Sequence, residues 1–290
     1  MSNEEWTSLK LVQWTEKHFA KKGIVQPRLE AELLLAHVLG WERIELYTRF
    51  EQVLGPEALT RFRELVKRRA EHEPRQYLVG TDEFYGLTLK VDKRVLIPRD
   101  ETEHLVEETL KLVGEDSSAT VVELCTGSGA VAVAIAANRK GVKVIASDIS
   151  ADALAVARMN VEALGLAERV ELRQGDLFEA VPAELKGKVD IIAANPPYVG
   201  GEDVGRLPVE VWEHEPRRAL VAGKTGLEVI ERIIAGAGEW LKEGGHLLME
   251  IGEGQGKAVR ELVGKTEGFG PPRLVRDYGK VERVLVVRRG

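Results

Sequence analysis

From Thr120 onward the chain alternates short apolar runs with helix-like stretches, and that alternation limits the possible folds more than any other feature. Thr120–Leu124, 143–147, 169–174 and Val189–Ala194 are too short for helices and rich in β-branched residues, so they read as strands. Between the first two lies 130–137, a run of small helix formers. Strands joined by helical crossovers run parallel and need cover on both faces, so the pattern predicts an α/β fold with a doubly wound, mostly parallel sheet. The C-terminal spacing is different. After a helix at 225–241, the pair Gly244 and Gly245, a strand at 246–251 and a helix following Gly254, the runs Arg273–Arg276 and 281–287 lie too close together for a crossover. They are expected to pair as an antiparallel hairpin.

The first part of the chain shows no strand pattern. Leu9, Val12 and Phe19, then Leu29, Leu33, Leu34, Val38 and Leu39, recur at helical spacing; Pro27 opens the second helix and Gly40 ends it. A further helix follows Gly55 and Pro56 through Leu59, Phe62, Leu65 and Val66. Three units are expected: a helical bundle over 1–75, a β-hairpin connector over 76–98 broken by Gly80, Gly86 and Asp92, and a sheet domain over 99–290. The last should open with an amphipathic helix at 99–113 and the linker 114–118. Trp6, Trp14 and Trp41 are placed in the core or rim of the bundle, and Arg61, Arg63, Lys67, Arg68 and Arg69 on its solvated surface.

At 290 residues and 44% hydrophobic content the chain can bury a substantial core. It has no apolar run of about eighteen residues, and Met1, Ser2, Asn3, Glu4 and Glu5 are polar and acidic where a signal peptide would be basic and then apolar. A cytoplasmic protein without membrane partners is expected. A single cysteine, Cys125, excludes an internal disulfide and a cysteine metal cluster, and no metal site is expected. The net charge of -6 argues against a protein that grips nucleic acid through its phosphates.

The loop after the first sheet strand is Cys125, Thr126, Gly127, Ser128 and Gly129. Gly127 and Gly129 let backbone pass close beneath a ligand, and strand, glycine loop, helix marks a nucleotide site. The loop also satisfies G-x-G-x-x-A, so a nicotinamide dinucleotide must be weighed. Asp148 ends the next strand, where it could accept both ribose hydroxyls; Asp176, with Leu177, follows the fourth and could meet an adenine amino group. For each Asp the alternative is a helix cap. Both nucleotide cofactors contain adenosine, so neither Asp discriminates. Glu123 does: a carboxylate before the loop suits an ammonium and a sulfonium better than a pyrophosphate, which favours S-adenosyl-L-methionine over NAD. A dehydrogenase would also need a positioned His or Lys, and only His214 lies near the strand ends. Cys125 reads as a small loop residue, not a nucleophile.

After Val189–Ala194 comes Asn195-Pro196-Pro197-Tyr198. The prolines fix two φ angles and remove two backbone donors, so the turn presents mainly oxygens. The Asn195 oxygen and a proline carbonyl could hold both hydrogens of a planar NH2 group, with Tyr198 stacked on it. A strand-exit turn with a packed aromatic is the alternative, and the exocyclic amine of a nucleic-acid base would fit the same description.

Four stretches carry a more specific likeness: 75–80 (RQYLVG), 95–103 (VLIPRDETE), 123–129 (ELCTGSG) and 195–199 (NPPYV). In them, and across nearly its whole length, the chain resembles the bacterial peptide chain release factor N(5)-glutamine methyltransferases. The resemblance implies a class I methyltransferase fold, S-adenosyl-L-methionine as methyl donor, and transfer to the glutamine side-chain amide in the Gly-Gly-Gln loop of class 1 translation release factors. It further implies that the N-terminal helical domain helps grip this protein partner. It places Asn195, Pro196, Pro197 and Tyr198 at the substrate amide, and Glu123, Cys125, Thr126, Gly127, Ser128, Gly129, Asp148, Asp176, Leu177 and Asn195 at the cofactor. Asp100 stands where the family commonly has proline, Glu123 where it has aspartate, and His214 where an aromatic precedes Glu215 and Pro216. Arg99 and Glu215 either close over the site or form an ion pair. A monomer is expected. A nucleic-acid base methyltransferase and a non-catalytic module that has kept a cofactor fold are the rival readings; intact glycines and an intact Asn195 turn weigh against the second.

Overall fold

The computed structural model describes residues 5–115 and 117–290. Met1, Ser2, Asn3 and Glu4 of the acidic N-terminus, and Asp116 of the expected linker, lie outside the described residues. The chain forms two compact units. One comprises the described residues of Met1–Gly80 with Pro208–His214; the other comprises Thr81–Leu207 and Glu215–Gly290.

In the first unit α1 (Ser8–Lys21) is capped by the Thr7 hydroxyl, which accepts from the Lys10 amide. Next, α2 (Pro27–Leu39) begins on proline and stops at Gly40 in the left-handed region. Then follow α3 (Glu45–Thr48), α4 (Pro56–Ala70) and α5 (Arg75–Val79). Phe19, Leu34, Leu35, Phe62 and Val66 fill the core between them, with Trp6 and Trp41 packed at its edge and Trp14 exposed. Two expectations change. Tyr77–Val79, read as extended, are helical, because Pro74 starts a turn that Gly80 closes by donating to the Gln76 carbonyl. Arg69 is not solvated: it is buried between Glu30 at 2.6 Å and Glu210 at 2.9 Å. Charge spacing along α4 cannot reveal carboxylates that arrive from elsewhere in the chain.

The second unit opens with a hairpin, β1 (Thr81–Phe84) and β2 (Leu87–Lys90), turned by Tyr85 and Gly86, both at positive φ. The helix expected from 99 is a 3-10 turn at Asp100–Thr102 followed by α6 (Glu103–Leu112). The sheet then builds through β3 (Thr120–Leu124), α7 (Ala130–Asn138), β4 (Lys143–Asp148), α8 (Ala151–Ala163), β5 (Val170–Gln174) and β6 (Val189–Ala194). Short elements follow: β7 (Val199–Gly200), α9 (Val209–His214, within the first unit), α10 (Arg217–Leu220) and β8 (Val221–Gly223). The chain ends with α11 (Glu228–Trp240), β9 (Leu241–Glu250), α12 (Gly256–Lys265), β10 (Arg273–Arg276) and β11 (Glu282–Arg288).

Seven strands pair in the order β10-β11-β9-β6-β3-β4-β5. β3, β4, β5, β6 and β9 are parallel, while β11 and β10 close the sheet antiparallel. Side chains alternate across it, apart from a register irregularity between Val189 and Ile191 of β6. Val121, Ile191, Ala193 and Leu248 pack with α6 and α7, whereas Val122, Ile192, Ala194, Leu247 and Met249 pack with α11 and α12. The chain winds outward from β3 through β4 to β5, then returns to β6 on the other side of β3. Ligands of open α/β sheets bind beyond the C-terminal strand ends at such a switch point. Among the described residues no helix is long and apolar enough to cross a membrane.

Candidate active site

Parallel register brings the expected residues to one rim. Leu124 is paired with Ala194 on one side and Ser147 on the other, and Asp148 with Gln174, so the loops at 125, 148, 175 and 195 emerge side by side. They line a cavity of about 360 Å³ whose walls include Glu123, Asp148, Asp176 and Asn195.

The glycine loop folds tightly. Cys125, Gly127 and Gly129 all have positive φ, and a Cβ on Gly129 would lie 3.2 Å from that of Ala157. Cys125 therefore carries backbone strain at the strand exit. The Thr126 amide donates to the Ser147 carbonyl and its hydroxyl to Glu123 Oε2 at 2.5 Å; the Ser128 carbonyl accepts from Asn160. Burial of Glu123, with Asp148 nearby, raises its carboxyl to about 8 despite the hydrogen bond from Thr126. Burial and the same carboxylates push the Cys125 thiol up as well, which keeps it protonated and unreactive.

Asp148 accepts at Oδ2 from the Gly127 amide and at Oδ1 from the Ser150 amide, both at 2.9 Å. It does not cap α8; Ser150 does, through the Ala153 amide. Asp176 precedes the 3-10 turn Leu177–Ala180 without capping it, and its carboxylate is held by Arg232 at 2.8 Å. Leu177, at positive φ, and the exposed Ile149 give this end apolar walls.

On the opposite wall the Asn195 side-chain nitrogen donates to Thr102 Oγ1 at 3.0 Å, leaving its oxygen as the acceptor of the amide. Pro197 lines the cavity beside it; Pro196 is buried behind, and neither Pro196 nor Tyr198 is among the lining residues. Tyr198 is drawn inward, its hydroxyl donating to Glu250 Oε1 at 3.3 Å and its carbonyl accepting from Gln255 at 3.0 Å. Arg99 and Glu215 pair with each other at 2.5 Å, and Glu215, buried, also accepts from the Ile97 amide. His214 contacts the Glu71 carbonyl within the first unit. Thr102, Glu250, Gln255 and Arg232 were not foreseen from the sequence. A carboxylate directly after the apolar run 247–249 in β9 was the one available signal.

The donor set suits S-adenosyl-L-methionine. Carboxylates at Glu123, Asp148 and Asp176 line one cavity beside apolar walls, whereas a pyrophosphate would meet acid at the glycine loop and find the Gly127 amide already engaged by Asp148. A mostly parallel seven-stranded sheet closed by an antiparallel pair, with this rim, defines a class I S-adenosyl-L-methionine-dependent methyltransferase. Residues 10–80 match the PrmC N-terminal domain family and residues 100–214 the methyltransferase small domain family. The chain is 42% identical to the release factor glutamine methyltransferase of Rhodopirellula baltica, over 98% of this chain and 97% of that one. It is 40% identical to that of Geobacter sulfurreducens, over 99% and 98%. A crystal structure of a methyltransferase from Pyrococcus furiosus shares the fold, with a TM-score of 0.53 at 20% identity over 71% of this chain and 90% of that one. The chain belongs to the release factor glutamine methyltransferase family.

Proposed function

We propose that this cytoplasmic enzyme methylates the side-chain amide nitrogen of a glutamine in the Gly-Gly-Gln loop of class 1 release factors. The observation that carries the reading is the fixed polarity of Asn195, an acceptor that lines the same cavity as the carboxylates that suit a cationic donor. When bound, S-adenosyl-L-methionine would supply an electrophilic methyl, the new N–C bond replacing the S–C bond so that the donor would leave as a thioether, and the methylated nitrogen, made acidic, would give its proton to solvent.

An amide nitrogen is a weak nucleophile because its lone pair is shared with the carbonyl, so orientation is the main lever. In this reading the Asn195 oxygen and the Pro196 carbonyl accept the two amide hydrogens and stabilise the positive charge that develops on nitrogen. Tyr198, anchored by Glu250 and Gln255, braces the turn from behind. Glu123 and the loop Cys125, Thr126, Gly127, Ser128 and Gly129 border the methionine portion, Asp148 accepts from the ribose, and Asp176 with Leu177 meets the adenine. The helical unit, with the hairpin that follows it, recognises the protein substrate, and the enzyme acts as a monomer.

Intact-mass analysis of a release factor incubated with enzyme and donor tests the reading. One added methyl, located by fragmentation on the Gly-Gly-Gln glutamine, supports it. Methyl transfer to DNA or ribosomal RNA in preference to the release factor would favour the base-amine alternative.

A further inference from the structure

We infer that Glu250 and Thr102 are positioning residues that set the polarity of the Asn195 amide, so that its oxygen and not its nitrogen is presented to the substrate. The inference rests on the proposed amide-methylating role of Asn195 and adds the part of the protein that makes Asn195 an acceptor.

An asparagine amide has nearly the same shape either way round, and only its hydrogen bonds decide which end points where. A carboxylate can only accept. Glu250, buried at the end of β9, accepts at Oε2 from the Thr102 hydroxyl at 2.6 Å and at Oε1 from the Tyr198 hydroxyl at 3.3 Å. Thr102, also buried, has one hydroxyl proton, and Glu250 takes it. Toward Asn195, 3.0 Å away, Thr102 can then only accept, so the nitrogen must face it. The flipped amide would set oxygen against oxygen with no proton between them. A proton on Glu250 Oε1 is tolerated, because the Tyr198 hydroxyl can turn to accept it while Oε2 still accepts from Thr102; a proton on Oε2 would free the Thr102 hydroxyl to donate to Asn195, so the polarity belongs to the form in which Oε2 accepts.

These groups come from the 3-10 turn before α6, the end of β9 and the exit of β6, and Thr102 and Glu250 stand 148 residues apart. The arrangement acts on substrate only through Asn195. Loss of one oriented hydrogen bond to a buried polar group corresponds to roughly tenfold to hundredfold in rate.

The test uses Thr102→Val, which keeps the shape but removes the hydroxyl, and Thr102→Ser, which restores it. Both are compared with wild type in the full-length enzyme. Thr102→Val is expected to lower kcat on a release factor about tenfold to hundredfold, with the donor Kd by calorimetry unchanged within about twofold, and Thr102→Ser to restore most of the rate. In an Asn195→Ala background Thr102→Val should cost nothing further, since the two act in series. A second readout is independent of activity. The Asn195 side-chain NH2 resonance, assigned by its loss in Asn195→Ala, should show exchange protection at least about tenfold greater in wild type and Thr102→Ser than in Thr102→Val. An unprotected wild-type NH2 overturns the inference whatever the activity, as does Thr102→Val with wild-type kcat, or additive losses in the double variant. A wild-type enzyme that shows the protection but leaves the release factor glutamine unmodified sinks the proposed function and spares the positioning.

Discussion

Glu123 should release a proton when the methyl donor binds. Burial raises its carboxyl from an ordinary 4.5 to about 8, so at pH 7 about nine in ten cofactor-free molecules carry it protonated. A unit positive charge about 5 Å away at an effective dielectric near 20 is worth ~3 kcal/mol, on the order of two pKa units, and favours the ionised carboxylate when the donor binds. The protonated fraction at pH 7 then falls, so a proton is released as the donor binds. Affinity should accordingly tighten as pH rises toward about 8 and level off above.

Titration calorimetry in two buffers of different ionisation enthalpy reads this directly, because the observed enthalpies differ in proportion to the protons exchanged. Wild type should show the release, Glu123→Gln should not, and the neutral thioether S-adenosylhomocysteine should show less than the sulfonium. Buffer-independent enthalpies in wild type, or an undiminished release in Glu123→Gln, would refute the assignment of Glu123 to the donor's charge.

Asp148→Asn should weaken donor binding roughly tenfold to hundredfold by calorimetry, because the new NH2 must face either the Gly127 or the Ser150 amide, both of which now donate to the carboxylate. Gly129→Ala should destabilise by about 1–3 kcal/mol in urea unfolding, since a side chain at φ +80 is strained and meets Ala157 at 3.2 Å. Glu123 at about 8 and Glu250 at about 7 both sit above their unfolded value, so their contribution to cofactor-free stability is fully present below about pH 4.5 and lost as pH rises through 7 and 8. Thermal unfolding should fall from pH 5.5 to 8.5 and flatten in Glu250→Gln; a midpoint that rises over that range contradicts the burial of these acids.

Much of the architecture was legible because it follows from local periodicity. Thr120–Leu124 and Val189–Ala194 are strands over the expected residues, and the close spacing of Arg273–Arg276 and the last apolar run did signal an antiparallel end. Asp148 and Asn195 could be placed at the rim because each follows an apolar strand, and both do line the cavity there. What stayed hidden depends on which partner a side chain finds. Periodicity reports that Glu250 follows the apolar run 247–249 but not that Thr102, inside an acidic run, reaches it from 148 residues away. Asp176 looked available for a base, yet Arg232 on α11 already holds it. Arg69 looked solvated for the same reason, its two carboxylates lying on α2 and in Pro208–His214. Tyr77–Val79 misled differently: their apolar content fits a strand, and the turn-forming Pro74 and Gly80 decided for a helix.

The register of β3 against β6 joins stability to chemistry. Pairing Leu124 with Ala194 places Cys125 beside Asn195, and the same pairing puts Val122, Leu124, Ile192 and Ala194 on the α11 and α12 face. A slip of one residue would break the pairing of Leu124 with Ala194 and turn Asn195 away from Thr102. Asp190 resists this, because its carboxylate accepts from the Thr120 amide at 2.7 Å at the other end of the same strand pair. The contacts that hold this register are therefore the ones that bring the glycine loop and the Asn195 turn to the same cavity, so the packing between these two strands aligns the rim without a separate device.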